Sequence, residues 1–241
     1  MTSYSAYIYI VFTAFISGSV IFFIKPGKNQ LKLLLAFSGA YLFGVAVLSL
    51  IPEIYQEAKV QTGLFILIGF LFQLLLEFFS EGLEHGHVHV HKGAKATVPF
   101  VMLISLCIHS FLEGMPIFSQ PSTNILTDTS RSLIIGIIIH NIPISIALTT
   151  LLMELGISKK IILLLLLVFT LMAPLGSLLN YFIASDMSNI AHYHNYIMAV
   201  VVGIFLHIST TILFETTENH KFNRVKFISI VLGMFCSYLM C

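Results

Sequence analysis

Charge is scarce in this sequence. Only 10% of the 241 residues are Asp, Glu, Lys or Arg, 57% are hydrophobic, and the mean hydropathy is +0.96. A water-soluble domain of this length has too little interior for so much apolar surface, so a soluble fold is excluded and lipid is the solvent. Cysteine is scarce as well. Cys107, Cys236 and Cys241 make an odd count and fall in or at the end of apolar runs, which excludes a disulfide framework and leaves them as small packing residues. Sustained heptads, glycine-rich phosphate loops, Ser/His/Asp spacings and an HExxH pair are all missing. The net charge of +1, with its lysines gathered between apolar runs, offers no surface for nucleic acid.

What remains is long apolar runs. They occur at about 5–24, 33–52, 63–79, 98–118, 132–153, 160–182, 195–214 and 225–241, each near the roughly 20 residues that cross hydrocarbon as a helix. The first lacks a basic leader and a small-residue cleavage site, so it reads as a retained helix. Positive charge tests the count. With the N-terminus outside, Lys25, Lys28, Lys32, Lys92, Lys95, Lys159, Lys160, Lys221, Arg224 and Lys226 face the cytoplasm, while only Lys59 and Arg131 stay outside. Removing or adding one helix would scramble that bias, which the positive-inside rule requires. The expected fold is an all-α integral membrane protein: eight transmembrane helices in a single domain, residues 1–241, with both termini outside.

The fourth and fifth runs form a central pair with three runs on either side. The first triplet starts outside and the last starts inside, the 3+2+3 inverted-repeat arrangement of secondary transporters. Pro116, Pro143 and Pro174 fall within the fourth, fifth and sixth runs. They are expected to interrupt those helices and to free the carbonyls of Leu112, Ile139 and Thr170. Such backbone is tolerated at membrane depth where it lines a cavity.

Ionisable groups inside these runs are costly and mark ion or proton paths. The fourth run carries His109 and Glu113, four apart and so on one helix face. The fifth carries His140 in "HNIP". At 1.5 Å per residue, Glu113, His140 and His109 lie roughly 9, 13 and 15 Å below the outer surface, within one layer. Two imidazoles and a carboxylate suit a borderline divalent cation such as Zn²⁺, and an incomplete protein shell suits an ion that must be released. His207, roughly 9 Å from the inner end of the seventh run, reads better as a packing histidine than as a release-path ligand. The long cytoplasmic loop at about 80–97 holds "EHGHVHVHK". There His85, His87, His89 and His91 alternate, so an extended chain would project all four to one side as a secondary metal-binding tract.

The "HSFLEG" and "HNIP" pair resembles the metal-binding core of the ZIP (Zrt-, Irt-like protein) family of divalent-metal transporters. "LSLIPE" in the second run, the histidine-rich loop, "APLG" in the sixth and "GIFLHIS" in the seventh are similar too. The resemblance covers essentially the whole chain and implies that His109, Glu113 and His140 are transport-site ligands. It also implies that Zn²⁺, Fe²⁺, Mn²⁺ or Cd²⁺ is carried into the cytoplasm as substrate by elevator-like alternation, with no prosthetic group. Departures are Ile144 where many members place a second glutamate, Ala173 where a glutamate often stands, Ser110 for asparagine and Ser49 for histidine. They put a second metal position in doubt.

The expected function is therefore a zinc importer in the plasma or inner membrane, with metal ion and lipid bilayer as partners, and a homodimer is compatible with it. The rival from another class is an intramembrane zinc-dependent hydrolase. It needs a further ligand and a general base at one depth, and His207 sits about 10 Å too deep to serve. A metal sensor that binds without transporting is the third reading.

Overall fold

A computed structural model describes residues 3–24, 26–56, 60–80, 97–117, 128–185, 190–214 and 223–241. Regular structure among these residues is entirely helical. In chain order it runs α1 (Ser3–Val20), α2 (Lys28–Val45), a π turn (Ala46–Leu50), α3 (Ile51–Ile54), α4 (Val60–Ser80), α5 (Thr97–Gly114), a 3-10 turn (Met115–Ile117), α6 (Asp128–Glu154), α7 (Lys159–Ser185), α8 (Ile190–Phe214) and α9 (Arg224–Met240). α2, the π turn and α3 follow without a break. Each apolar run of the sequence is thus one helical rod, its ends within a few residues of expectation.

Helix is the form that lets a chain in lipid satisfy its own backbone. Six of these rods are long and apolar enough to cross a membrane, namely Asn29–Ile54, Val60–Ser80, Phe100–Ile117, Asp128–Glu154, Lys159–Ile183 and Tyr193–Leu213. Ser5–Val20 is a shorter apolar helix, and Arg224–Met240 has 17 residues. The chain is a multi-pass membrane protein. By length and hydropathy alone, six of the eight expected spans qualify.

The prolines correct one expectation. Pro116 does end a helix, since α5 stops at Gly114 and tightens into the 3-10 turn that holds Pro116. Pro143 and Pro174 do not, because α6 and α7 run on through them. Proline deletes one hydrogen bond, whereas breaking the helix in lipid would strand several more backbone groups.

The rods pack chiefly in pairs: α4 with α8, α2 with α9, α5 with α7 and α1 with α6. One apolar cluster joins Tyr41, Leu42 and Val45 of α2 to Ile134 and Ile137 of α6 and Phe205 of α8. A second joins Leu106 of α5 to Ile144 and Leu148 of α6 and to Leu166 and Phe169 of α7. α6 belongs to both and is the most buried of the candidate spans. His140 lies between Ile137 and Ile144, where the two clusters meet.

Membrane helices gain no hydrophobic drive from one another and associate by close packing at small residues. α5 and α7 do this on either side of Glu113. A Cβ at Gly176 would fall 1.9 Å from the Phe111 carbonyl oxygen, and one at Gly114 would fall 2.0 Å from that of Ala173. Backbone cannot yield as a side chain can, so any larger residue must push the helices apart. Gly176→Ala is therefore expected to destabilise the protein by about 1–3 kcal/mol, read as a lower melting temperature in detergent. Gly63→Ala is the control and should cost nothing, since its Cβ would meet only the Tyr55 hydroxyl at 3.7 Å.

Candidate metal centre

α5 positions two of the three groups. Helical spacing stacks His109 and Glu113 one turn apart, with Nε2 3.0 Å from Oε1. Their depth is set by the end of α5, because the chain leaves the α-helix just beyond Glu113. Asn180 of α7 caps that exit by donating from Nδ2 to the Met115 carbonyl at 2.8 Å.

α6 brings the third group. The His140 ring stands nearly perpendicular to that of His109, with centroids 6.0 Å apart. One donor atom from each of His109, Glu113 and His140 lies within 4.8 Å of the others, and all three side chains are fully buried. Ligand atoms on one tetrahedral zinc stand about 3.3 Å apart at ordinary bond lengths. The donor atoms must draw together by at most about 1.5 Å to reach that spacing.

Electrostatics call for a cation. Both Glu113 oxygens are buried, and neither has a hydrogen-bond partner among the described residues. An uncompensated carboxylate in such a place costs several kcal/mol. A protonated His109 would offset that cost, and so would a cation bound beside a neutral one. The His109 Nδ1 lies 3.0 Å from the amide oxygen of Gln73, which can only accept, so Nδ1 carries the proton and donates. In the neutral ring Nε2 then holds a lone pair aimed at the Glu113 carboxylate. Two electron-pair donors facing each other across 3.0 Å could form half of a metal shell. Ser110 Oγ, Asn141 Oδ1 and Ser145 Oγ are also buried without hydrogen-bond partners among the described residues, polar lining that suits water or an ion.

Positions that would complete a second metal shell are apolar. Ile144, one turn beyond His140, is fully buried, and so is Ala173, whose backbone packs on Gly114.

His207 is elsewhere. Its Nε2 pairs with Glu77 Oε2 of α4 at 2.5 Å, and its ring meets Phe70 edge-on at 4.8 Å. It stays apart from the three-residue cluster and joins α8 to α4. The loop histidines His85, His87, His89 and His91 lie outside the described residues. A separate polar cleft of about 380 Å³, lined in part by Ser49, Glu53, Asp128 and Ser132, opens where α3 ends and α6 begins. Along α6 it lies about 18 Å from His140.

Sequence reading missed two partners. Gln73 and Glu77, four apart in "GFLFQLLLEFF", each hold a histidine of a neighbouring helix. Their spacing repeats that of His109 and Glu113, and an amide in an oily run was the signal.

Known proteins carry similar sequences. The family model described as ZIP zinc transporter matches residues 81–240. Zinc transporter ZIP9-B of Xenopus laevis is 24% identical over 238 aligned residues, covering 81% of this chain and 78% of its own length. Zinc transporter ZIP9 of Xenopus tropicalis is 22% identical with the same coverage. Protein zntD of Dictyostelium discoideum is 28% identical over 163 residues, which cover 63% of this chain and 23% of zntD. A match to two thirds of the chain that takes in the whole three-residue cluster settles the relationship: this protein belongs to the ZIP zinc transporter family.

Proposed function

We propose that this protein imports divalent metal, with zinc as its principal cargo, into the cytoplasm through one intramembrane site formed by His109, Glu113 and His140. The observation that carries the reading is a fully buried carboxylate, lacking any hydrogen-bond partner among the described residues, beside two imidazoles. Such a set attracts a borderline dication, yet leaves coordination positions to water, so the ion can leave again. Fe²⁺, Mn²⁺ and Cd²⁺ have compatible ligand preferences and are further candidate cargoes.

The whole chain acts as one transport domain with eight spans and both ends outside. Lysine placement supports this topology, and the helix pairing supports a 3+2+3 inverted repeat. Exchange α1 with α7, the α2–α3 rod with α8, α4 with α9, and α5 with α6. The pair α1 with α6 then becomes α7 with α5, and α2 with α9 becomes α8 with α4. On this topology the cleft holding Glu53 and Asp128 faces outside, with Asp128 paired to Arg131. His85, His87, His89 and His91 receive metal on the inner side, and the plasma or inner membrane fits import into the cytoplasm. A hydrolase lacks support, since the two ZIP9 relatives above are named as zinc transporters and His207 is held by Glu77.

Uptake into proteoliposomes tests the site. Glu113→Ala and His140→Ala should each abolish zinc accumulation while inserting normally, and full transport by either would refute the assignment. Replacing the four loop histidines with serine should leave transport running and weaken zinc binding on the cytoplasmic side. The site should hold one ion. Two dications about 4 Å apart repel by on the order of 15 kcal/mol at an effective dielectric of 20, and Ile144 and Ala173 supply no side-chain oxygen to offset it. Metal stoichiometry or anomalous scattering on a loop-deleted variant should therefore find a single ion between α5 and α6.

A further inference from the structure

Gln73 is fully buried on α4, a helix that contributes none of the three donor groups. It nevertheless touches the site, through the 3.0 Å contact of its amide oxygen with His109 Nδ1. That contact does two things at once. It fixes the proton of His109 on Nδ1, so Nε2 presents its lone pair to an ion. It also pins the ring so that Nε2 faces Glu113. Partners of this kind on the far nitrogen of a metal-binding histidine set both tautomer and orientation.

α4 itself is held most closely by α8. A Cβ at Gly69 would fall 2.0 Å from the Val200 carbonyl oxygen, and one at Gly203 would fall 2.0 Å from that of Ile66, so α4 and α8 are in backbone contact. The Glu77–His207 pair fastens them again one turn beyond Gln73. α5 is in backbone contact with α7 instead. Between the two pairs, α5 reaches α4 through the Gln73–His109 contact and through Ser105 Oγ, which donates to the Leu76 carbonyl at 2.6 Å.

We infer that Gln73 is a positioning residue for metal: it holds His109 in its ligating tautomer and ties the grip of α5 on the ion to the place of α5 against the α4–α8 pair. The inference rests on the proposed role of His109. Tight binding requires α5 to be seated on α4, and sliding α5 along α4 separates the amide from the imidazole and loosens the site. Release then follows from geometry, with no competing ligand.

The test combines zinc affinity, measured by titration of purified protein in detergent, with zinc uptake kinetics. Gln73→Leu keeps the volume and removes the acceptor. It should weaken zinc binding by about 10–100-fold and raise the KM of uptake by a similar factor, with the rate at saturating zinc retained. Gln73→Glu keeps an acceptor oxygen at the same reach and should bind within about threefold of the parent. A structural role alone would lower expression or melting temperature and leave affinity and KM untouched. If Gln73→Leu fails to insert, Gln73→Met carries the same comparison. Parent affinity in Gln73→Leu, or equal weakening in Gln73→Glu, overturns the inference. Failure of the proposed function reads differently: the parent protein would accumulate no zinc, or His109→Ala would bind it as tightly as the parent.

Discussion

Water is what this fold does without, and one carboxylate shows the consequence. Glu113 is fully buried among helices that lie in lipid, with no hydrogen-bond partner for either oxygen among the described residues. Everything near it answers to that charge. The imidazoles of His109 and His140 flank it, α5 stops just past it, and α7 comes into backbone contact on both sides of it. A dication would neutralise it, so on the proposed function the site is least stable empty. A carrier needs that property, because the energy gained on loading can drive the rearrangement that follows.

The polar groups within the bundle sort into two kinds. Gln73, Glu77, His207, Ser105 and Asn180 make hydrogen bonds from one helix to another. Such bonds in membranes are worth about 0.6 kcal/mol on average, so they fix register more than they stabilise. Ser110, Asn141 and Ser145 are buried and make none among the described residues. Groups of the second kind lie next to or one turn from the ligand residues on α5 and α6. Incomplete satisfaction is found where an ion and its waters would restore it, although Tyr41, Thr149 and Ser209 also bury hydroxyls without a partner among the described residues.

Much of this was legible in the sequence. Run length and hydropathy located the helices to within a few residues, because in lipid the backbone has few alternatives. The three-residue cluster was legible because charge is rare there, so His109, Glu113 and His140 stood out, and rise per residue placed them in one layer. Neighbour relations were not legible. Nothing along the chain says that α4 lies against both α5 and α8, so Gln73 and the Glu77–His207 pair could not be assigned. The prolines misled for a related reason. A rule learned in water, where a broken helix end is solvated, overstates what Pro143 and Pro174 do inside a bundle.

The widened turn at Ala46–Leu50 has a bearing on how α2 and α3 keep one face inward. Leu42, Ala46, Leu50 and Ile54 are all buried, at 0%, 0%, 0% and 1% exposure, and they recur strictly every four residues. On a straight α-helix, residues four apart drift by about 40° per step, so this stripe would wind about 120° around the rod from first to last. One extra residue in a π turn takes back about 100° of that winding. The stripe is thereby straightened, and a helix that would otherwise have rotated Ile54 away from the core keeps it there.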